Sequence, residues 1–347
     1  MQKRGDGCLL ADKRNRAAWF QAALAVPVMQ AASGCSWLTA AALGVLCLGV
    51  CAGVEALDVP EVKWLNVARW VWLTVILSAA LQWTLYCWPS DSPVIPGTIL
   101  LLAAWTAAGG EEQSLRAGNL MRFFLIGLLG AVLLSGVWDM RTQNLRPNWR
   151  MDNADLVTVL LLPAAGVCLG GKGAGTKLFL LALTIGVSAV VTGVLSGPFA
   201  AAQNSAIYEL SKSVRLLGVA ERFESLAAAG MTLGYYVFAC WCLNLCGNWG
   251  KSVTGAQTAW PVWLTASASF AGFFLKWTKT GSFVPAGTVI MFVFAPLTAA
   301  LIGKWKKKKK EFKKIIKKRL TNKEARGIIC KLTAREAPVP CKLNNAR

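Results

Sequence analysis

Polar and apolar positions along this chain fall into long blocks rather than a short period. Ten mostly apolar runs, at 17–32, 36–54, 67–88, 94–108, 121–138, 156–170, 177–196, 225–247, 258–276 and 284–302, alternate with short segments that hold most of the charge. A bilayer core takes about 20 apolar residues per helix, within a range of about 17–25. The pattern therefore predicts an all-α polytopic membrane protein with about ten transmembrane helices. Tryptophans stand near run ends, at Trp19, Trp37, Trp88, Trp138, Trp249 and Trp305, as expected of side chains that settle at the headgroup level. The organisation that follows is a basic N-terminus over 1–16, a membrane domain over 17–302 and a polybasic tail over 303–347.

Composition supports the block pattern and relocates the charge. Hydrophobic residues make up 55% of the 347 and charged residues 16%, against about 25% charged in soluble domains. The net charge of +20 is a property of the tail: from Lys304 onward 17 of the 37 Lys and Arg face three glutamates, leaving +6 for everything before it. With both termini on one side, the segments of that side, counted with the adjoining span ends, hold 29 of the 37 basic residues, so the positive-inside rule predicts cytoplasmic termini. In "KWKKKKKEFKKIIKKRL" (304–320), Phe312, Ile315, Ile316 and Leu320 share one helical face and lysines fill the rest. That is a basic amphipathic helix suited to the headgroup plane of an anionic membrane. The same charge suits nucleic acid, but adjacency to a span and an apolar face of its own favour lipid.

The chain contains 11 cysteines and no histidine. Cys47, Cys51, Cys87, Cys168, Cys240, Cys242 and Cys246 lie in or at the ends of apolar runs, unlike the disulfide framework of a small secreted domain. "CWCLNLC" (240–246) matches no common zinc spacing and reads as small, soft packing residues. "GGKGAG" (170–175) lacks the Lys-Ser/Thr ending of a phosphate-binding loop. These features predict no metal, no cofactor and no enzyme. At the N-terminus, a basic stretch, a short apolar run and "AASGC" (31–35) resemble a lipoprotein processing site, but an apolar run resuming at Ser36 argues against cleavage.

Two runs are interrupted. Lys13, Arg14 and Arg16 precede the first, which contains Pro27; a charge at a helix centre costs about 2.5–3.5 kcal/mol on insertion scales, so this first half cannot lie mid-membrane. The sixth starts with Asp152, Asn153 and Asp155 and contains Pro163. Interruptions in the first and sixth of ten segments suggest two inverted five-helix repeats with broken helices meeting at the midplane; ordinary proline kinks are the other reading. Polar residues within or beside the runs are Gln21, Gln30, Glu55, Arg69, Gln82, Asp139, Asp155 and Thr158, of which Gln82 lies deepest.

"YELSKSVRLLGVAERFESLAAAGMTLGYYVFACWCL" (208–243) resembles the spore germination permease family, the B subunit of germinant receptors within the amino acid–polyamine–organocation superfamily. A polar run leads to Gly218, then Glu221, Arg222 and Glu224, then an apolar helix containing Leu226 and Gly234. "LAVPVMQAASGCSWLTAAALGVL" (24–46), with Leu24 and Pro27, is similar to the family's first-to-second-helix junction. "ADLVTVLLLPAAG" (154–166), with Asp155 and Pro163, is similar to its sixth helix.

The resemblance implies two inverted five-helix repeats and a receptor subunit for a small nutrient such as an amino acid. It implies the inner membrane of a bacterial spore, beside a larger membrane subunit and a lipoprotein subunit. The ligand pocket is then expected between the first, third, sixth and eighth spans, at Gln21, Ala25, Gln82, Asn153, Asp155 and Tyr235, with Asp155 meeting an ammonium group. Pro27, Pro163, Gly218, Glu221, Arg222 and Glu224 are expected in structural or partner roles, the last three at the start of the eighth span. The chain departs from the family at Phe20 and Ala22, where the family has glycines that let the first helix unwind. Two rival expectations follow: an active secondary amino acid transporter of the same superfamily, and a membrane scaffold that binds no ligand.

Overall fold

A computed structural model describes residues 3–57, 59, 62–85, 92–146, 149, 154–165, 173–195, 206–213, 223–255, 258–275, 283–306 and 308–314. Every element among them is helical, and no strand occurs among the described residues. The chain divides into two compact units, Met1–Leu297 and Thr298–Arg347.

The first unit holds eleven α-helices among its described residues: α1 Lys3–Ala32, α2 Trp37–Ala56, α3 Lys63–Leu85, α4 Val94–Ala108, α5 Glu111–Trp138, α6 Asp155–Ala165, α7 Ala174–Val194, α8 Ala206–Ser213, α9 Phe223–Thr254, α10 Trp260–Phe274 and α11 Phe283–Val289. A π turn, Ile290–Phe294, continues α11. Each of the ten apolar runs overlaps one helix, and α8 lies between the seventh and eighth. Local signals set several ends. The Ser36 hydroxyl accepts from the Thr39 N–H to cap α2, as short polar side chains do at N-caps. Gly110, at φ 104°, makes the turn between α4 and α5, a conformation that glycine adopts without the steric cost a Cβ brings. Glu111 and Glu112 then open α5, at the positive end of its dipole.

Among the described residues, six helices are long and apolar enough to cross a membrane: α2, α3, α5, α7, Glu224–Thr254 of α9, and the helix that starts with α11 and runs over Phe283–Lys314. The apolar helices α4 and α6 are shorter, at 15 and 11 residues. At 1.5 Å per residue the described part of α6 is about 16 Å long. It is buried nearly all round, with Leu156, Thr158, Val159 and Leu160 all hidden from the surface.

The interior belongs to α1, α6 and α9. From Trp19 to Ala32, α1 is almost wholly buried, packed against α5, α6, α7, α8 and α9. Helix α9 packs against α1, α3, α4, α5, α8 and α10. Large apolar side chains elsewhere face outward, among them Leu101, Trp105, Leu120, Phe123, Leu134 and Leu178. For a soluble protein such a surface would be a liability; for a bundle set in lipid it is the expected exterior.

The break expected at Pro27 is absent, because α1 runs unbroken from Lys3 to Ala32 with Pro27 inside it. Proline removes one backbone donor, and neighbouring helices make that tolerable in a membrane bundle. The charged first half of α1 precedes the buried part: Asn15 is exposed, and Arg16 pairs with Glu111 of α5 at 3.2 Å. Pro163 also lies inside its helix, two residues before the end of α6 at Ala165.

In the second unit, the described residues from Thr298 to Lys314 are helical. Lys304, Trp305 and the described lysines beyond them are exposed, with the Lys309 ammonium 5.1 Å from the centre of the Trp305 ring. Ile315, Ile316 and Leu320 of the expected amphipathic face lie outside the described residues.

Candidate functional site

The expected pocket residues are distributed among three places. On α3, Gln82 stands beside Trp83, and the Trp83 indole hydrogen-bonds the Asp155 side chain at the first position of α6. The indole can only donate and the carboxylate only accept, so this bond ties the end of the third span to the start of the sixth. Trp72, eleven residues earlier and on the same stripe of α3, donates to Thr288 of α11 at 3.1 Å. Among the described residues the Gln82 side-chain nitrogen is buried without a hydrogen-bond partner, next in the chain to the residue that holds the one carboxylate α6 contributes.

Ala25 and Tyr235 belong to a second place, where α1 crosses α9. Gly234 faces Val26 so closely that a Cβ there would lie 2.6 Å from the Val26 Cβ and nearer still to one γ carbon. Phe20 meets Trp241 edge to face, with ring centres 5.1 Å apart. Both rings are fully buried. Phe20, placed where the resemblance leads one to expect glycine, therefore fills the α1–α9 seam instead of loosening it.

Gln21 points a third way. Its amide donates to the Thr176 hydroxyl of α7 at 3.4 Å. The neighbouring Lys177 joins Glu55 of α2 at 2.6 Å, with side chains only 18% and 11% exposed. One turn before Glu55, the Cys51 thiol reaches the Leu160 carbonyl of α6 at 3.4 Å. Charges this well covered in a membrane bundle are costly unless paired. Lysine in the first turn of a helix also opposes its dipole, which Glu55 offsets. The pairing spans 122 residues of sequence, and only the charge of each residue hinted at it.

The remaining expectations resolve simply. Glu224 lies in the first turn of α9, the acidic helix start read from the sequence. Asn153, Gly218, Glu221 and Arg222 lie outside the described residues. In "CWCLNLC", Cys240 reaches the Ala103 carbonyl of α4 and Cys246 the Trp70 carbonyl of α3, each at 3.9 Å, so these two thiols diverge toward different helices. A polar contact that sequence reasoning missed joins α9 to α5: Asn244 donates to the Ser114 hydroxyl at 2.6 Å and to the Cys240 carbonyl at 2.8 Å.

Compared with known proteins, the sequence matches no family model and no curated protein.

Proposed function

We propose that this chain is a permease-like membrane subunit of a germinant-receptor type, built from two inverted five-helix repeats, that senses a small nutrient such as an amino acid. The observation that carries this reading is the pattern of helix neighbours. Take α1–α5 as one repeat and α6, α7, α9, α10 and α11 as the other. Exchanging them turns α1 on α7 into α6 on α2, and both pairs exist. Likewise α3 on α10 becomes α9 on α4, α3 on α4 becomes α9 on α10, and α1 on α5 becomes α6 on α11. The pairs α2–α7, α3–α9 and α4–α10 map onto themselves. On this reading all ten helices cross, and because five is odd the second repeat would enter the membrane from the opposite side, the inverted arrangement.

Sensing is favoured over transport by the α1–α9 seam. Alternating access needs one bundle to rock against the other around the site, and here an unbroken α1 is wedged against α9 through Phe20, Val26, Gly234 and Trp241. The nutrient site of this reading is the third–sixth-span corner, with Asp155 receiving an ammonium group beside Trp83. The same seam favours the scaffold as second reading. Partners under the proposal are a larger membrane subunit, a lipoprotein subunit, and anionic lipid at the tail, in the spore inner membrane with cytoplasmic termini. In proteoliposomes containing the purified chain, a radiolabelled amino acid is expected to bind without accumulating. Concentrative uptake would replace this reading with secondary transport.

A further inference from the structure

Two exposed lysines and two exposed tryptophans stand at one end of an apolar groove. The groove runs between α3 and α10, has a volume of about 510 Å³, and is walled by Val67, Val71 and Thr74 of α3 and by Leu264, Ala268 and Gly272 of α10. Along α3 it extends from Val67 to Ser78, a rise of about 16 Å. That is close to the depth of one leaflet of a hydrocarbon core about 30 Å thick. The polar side chains along it turn inward. The Trp70 indole donates to the Thr265 hydroxyl, Thr265 donates to the Pro261 carbonyl, and Thr74 donates to the Trp70 carbonyl. The Ser78 hydroxyl is hidden from the surface. An occupant therefore meets apolar surface along the whole length.

The charge lies at the end nearest the start of α3. Positions 67, 70, 71, 74, 75 and 78 line the groove with the three- and four-residue spacing of a single helical stripe. One turn earlier the same stripe carries Lys63 and Trp64, both exposed. Lys63 opens α3, where a cation opposes the helix dipole, so its own helix gives no reason for it. On α10 the stripe through Leu264 and Ala268 leads back to Trp260, the first residue of that helix. Its ring is exposed and meets Trp70 edge to face, with ring centres 6.2 Å apart.

The end of α9 reaches the same place. The Asn66 amide donates to the Ser252 hydroxyl at 3.1 Å, and a Cβ on Gly250 would lie 2.5 Å from the Pro261 Cβ. Lys251, between these two contacts in the chain, is exposed. Neither Lys63 nor Lys251 has an ion-pair partner among the described residues. The start of α10 is the positive end of its dipole and adds to their field. Exposed indoles settle at the headgroup level of a bilayer, so Trp64 and Trp260 suit a mouth beside lipid phosphates.

We propose that this is a binding site for an anionic phospholipid, entered sideways from the bilayer. One acyl chain lies in the α3–α10 groove, and Lys63 and Lys251 hold the headgroup phosphate. The site is separate from the polybasic tail. A phosphatidylcholine offers the same chain but brings a quaternary ammonium toward the two lysines. A second copy of this chain, docked through the same face, would bring lysines against lysines.

The test uses the full chain in phosphatidylcholine nanodiscs and two photoreactive phospholipids with a diazirine midway along one acyl chain: a phosphatidylglycerol and the matching phosphatidylcholine. Labelled residues are mapped by peptide mass spectrometry. The phosphatidylglycerol is expected to label groove residues of α3 and α10 in preference to the outward face of α5 at Phe123 and Ile126, and the phosphatidylcholine to show no such preference. Comparison with α5 in one sample cancels any enrichment of anionic lipid by the tail. Lys63→Gln and Lys251→Gln should each weaken the preference about fivefold, and together remove it; both side chains are exposed, so neither change reaches the core. Ala268→Phe should fill the groove and block its labelling by either lipid. Equal labelling of the groove by the two lipids would reduce it to a place for any lipid tail. A preference that survives the double lysine variant would take the phosphate away from Lys63 and Lys251. Photo-crosslinked dimers through α10 would give the groove to a second copy. Each of these three results overturns the proposal.

Discussion

Replacing Gly234 by alanine tests the seam on which the sensing argument rests. The added methyl would meet Val26 at 2.6 Å from its Cβ, well inside van der Waals contact. Val26 is fully buried, and a β-branched residue in a helix has one strongly preferred χ1 rotamer, so it cannot swing aside. Overpacking costs about 1–3 kcal/mol, at the upper end for so rigid a neighbour. Gly→Ala in a helix returns about 1 kcal/mol. The net expectation is a loss of about 2 kcal/mol. Val26→Ala alone should also destabilise, since it removes two buried carbons. In the double variant the nearer γ-carbon clash is gone while the Cβ–Cβ approach of 2.6 Å remains, so the two changes should couple by about 1 kcal/mol in favour of the pair. The assay is reversible unfolding in mixed dodecylmaltoside–SDS micelles, followed by tryptophan fluorescence. A neutral or stabilising Gly234→Ala, or strictly additive variants, would refute a close α1–α9 crossing.

Neutralising either member of the Glu55–Lys177 pair should cost about 3 kcal/mol by stranding a covered charge, while exchanging the two residues should recover most of it in the same unfolding assay. Cys51, Cys240, Cys242 and Cys246 are buried, so a maleimide reagent followed by peptide mapping should modify them only after denaturation; labelling of Cys246 in the folded protein would contradict its packing against α3. A peptide of residues 304–320 should bind anionic vesicles, become helical and release as salt rises. Equal binding to neutral vesicles would show that lysine charge is not what holds the tail.

The helices were legible because long apolar runs suit helices, and each run overlaps one, but only six of these helices are long and apolar enough to cross a membrane among the described residues. The beginning of α1 was not. Lys3–Asn15 reads as a polar leader, yet nothing in it stops a helix, and α1 extends through it. Pro27 read as a break because proline removes a helical donor; dense packing around α1 overrides that local preference. The candidate site was legible residue by residue, in Asp155, Gln82 and Gln21, but not as a constellation. Which helix a side chain faces depends on rotation about the helix axis, and that is set by contacts such as Gly234 on Val26 and Trp83 on Asp155, made between distant parts of the chain. Gln21 turns to Thr176 for this reason, while at the corner of α3 and α6 Asp155 meets Trp83.

If a small nutrient binds at that corner, ligand-dependent thermal stabilisation of the full chain in nanodiscs will report it. Across a panel of the common amino acids at millimolar concentration, at least one should raise the melting temperature. For a ligand at about 100 times its Kd the stabilisation is about 2.7 kcal/mol, well within reach of the measurement. Asp155→Asn should abolish that shift while leaving the unliganded melting temperature close to the wild type, since an asparagine oxygen still accepts from Trp83. A panel in which no amino acid stabilises the protein, or a stabilisation that survives Asp155→Asn intact, would contradict the account.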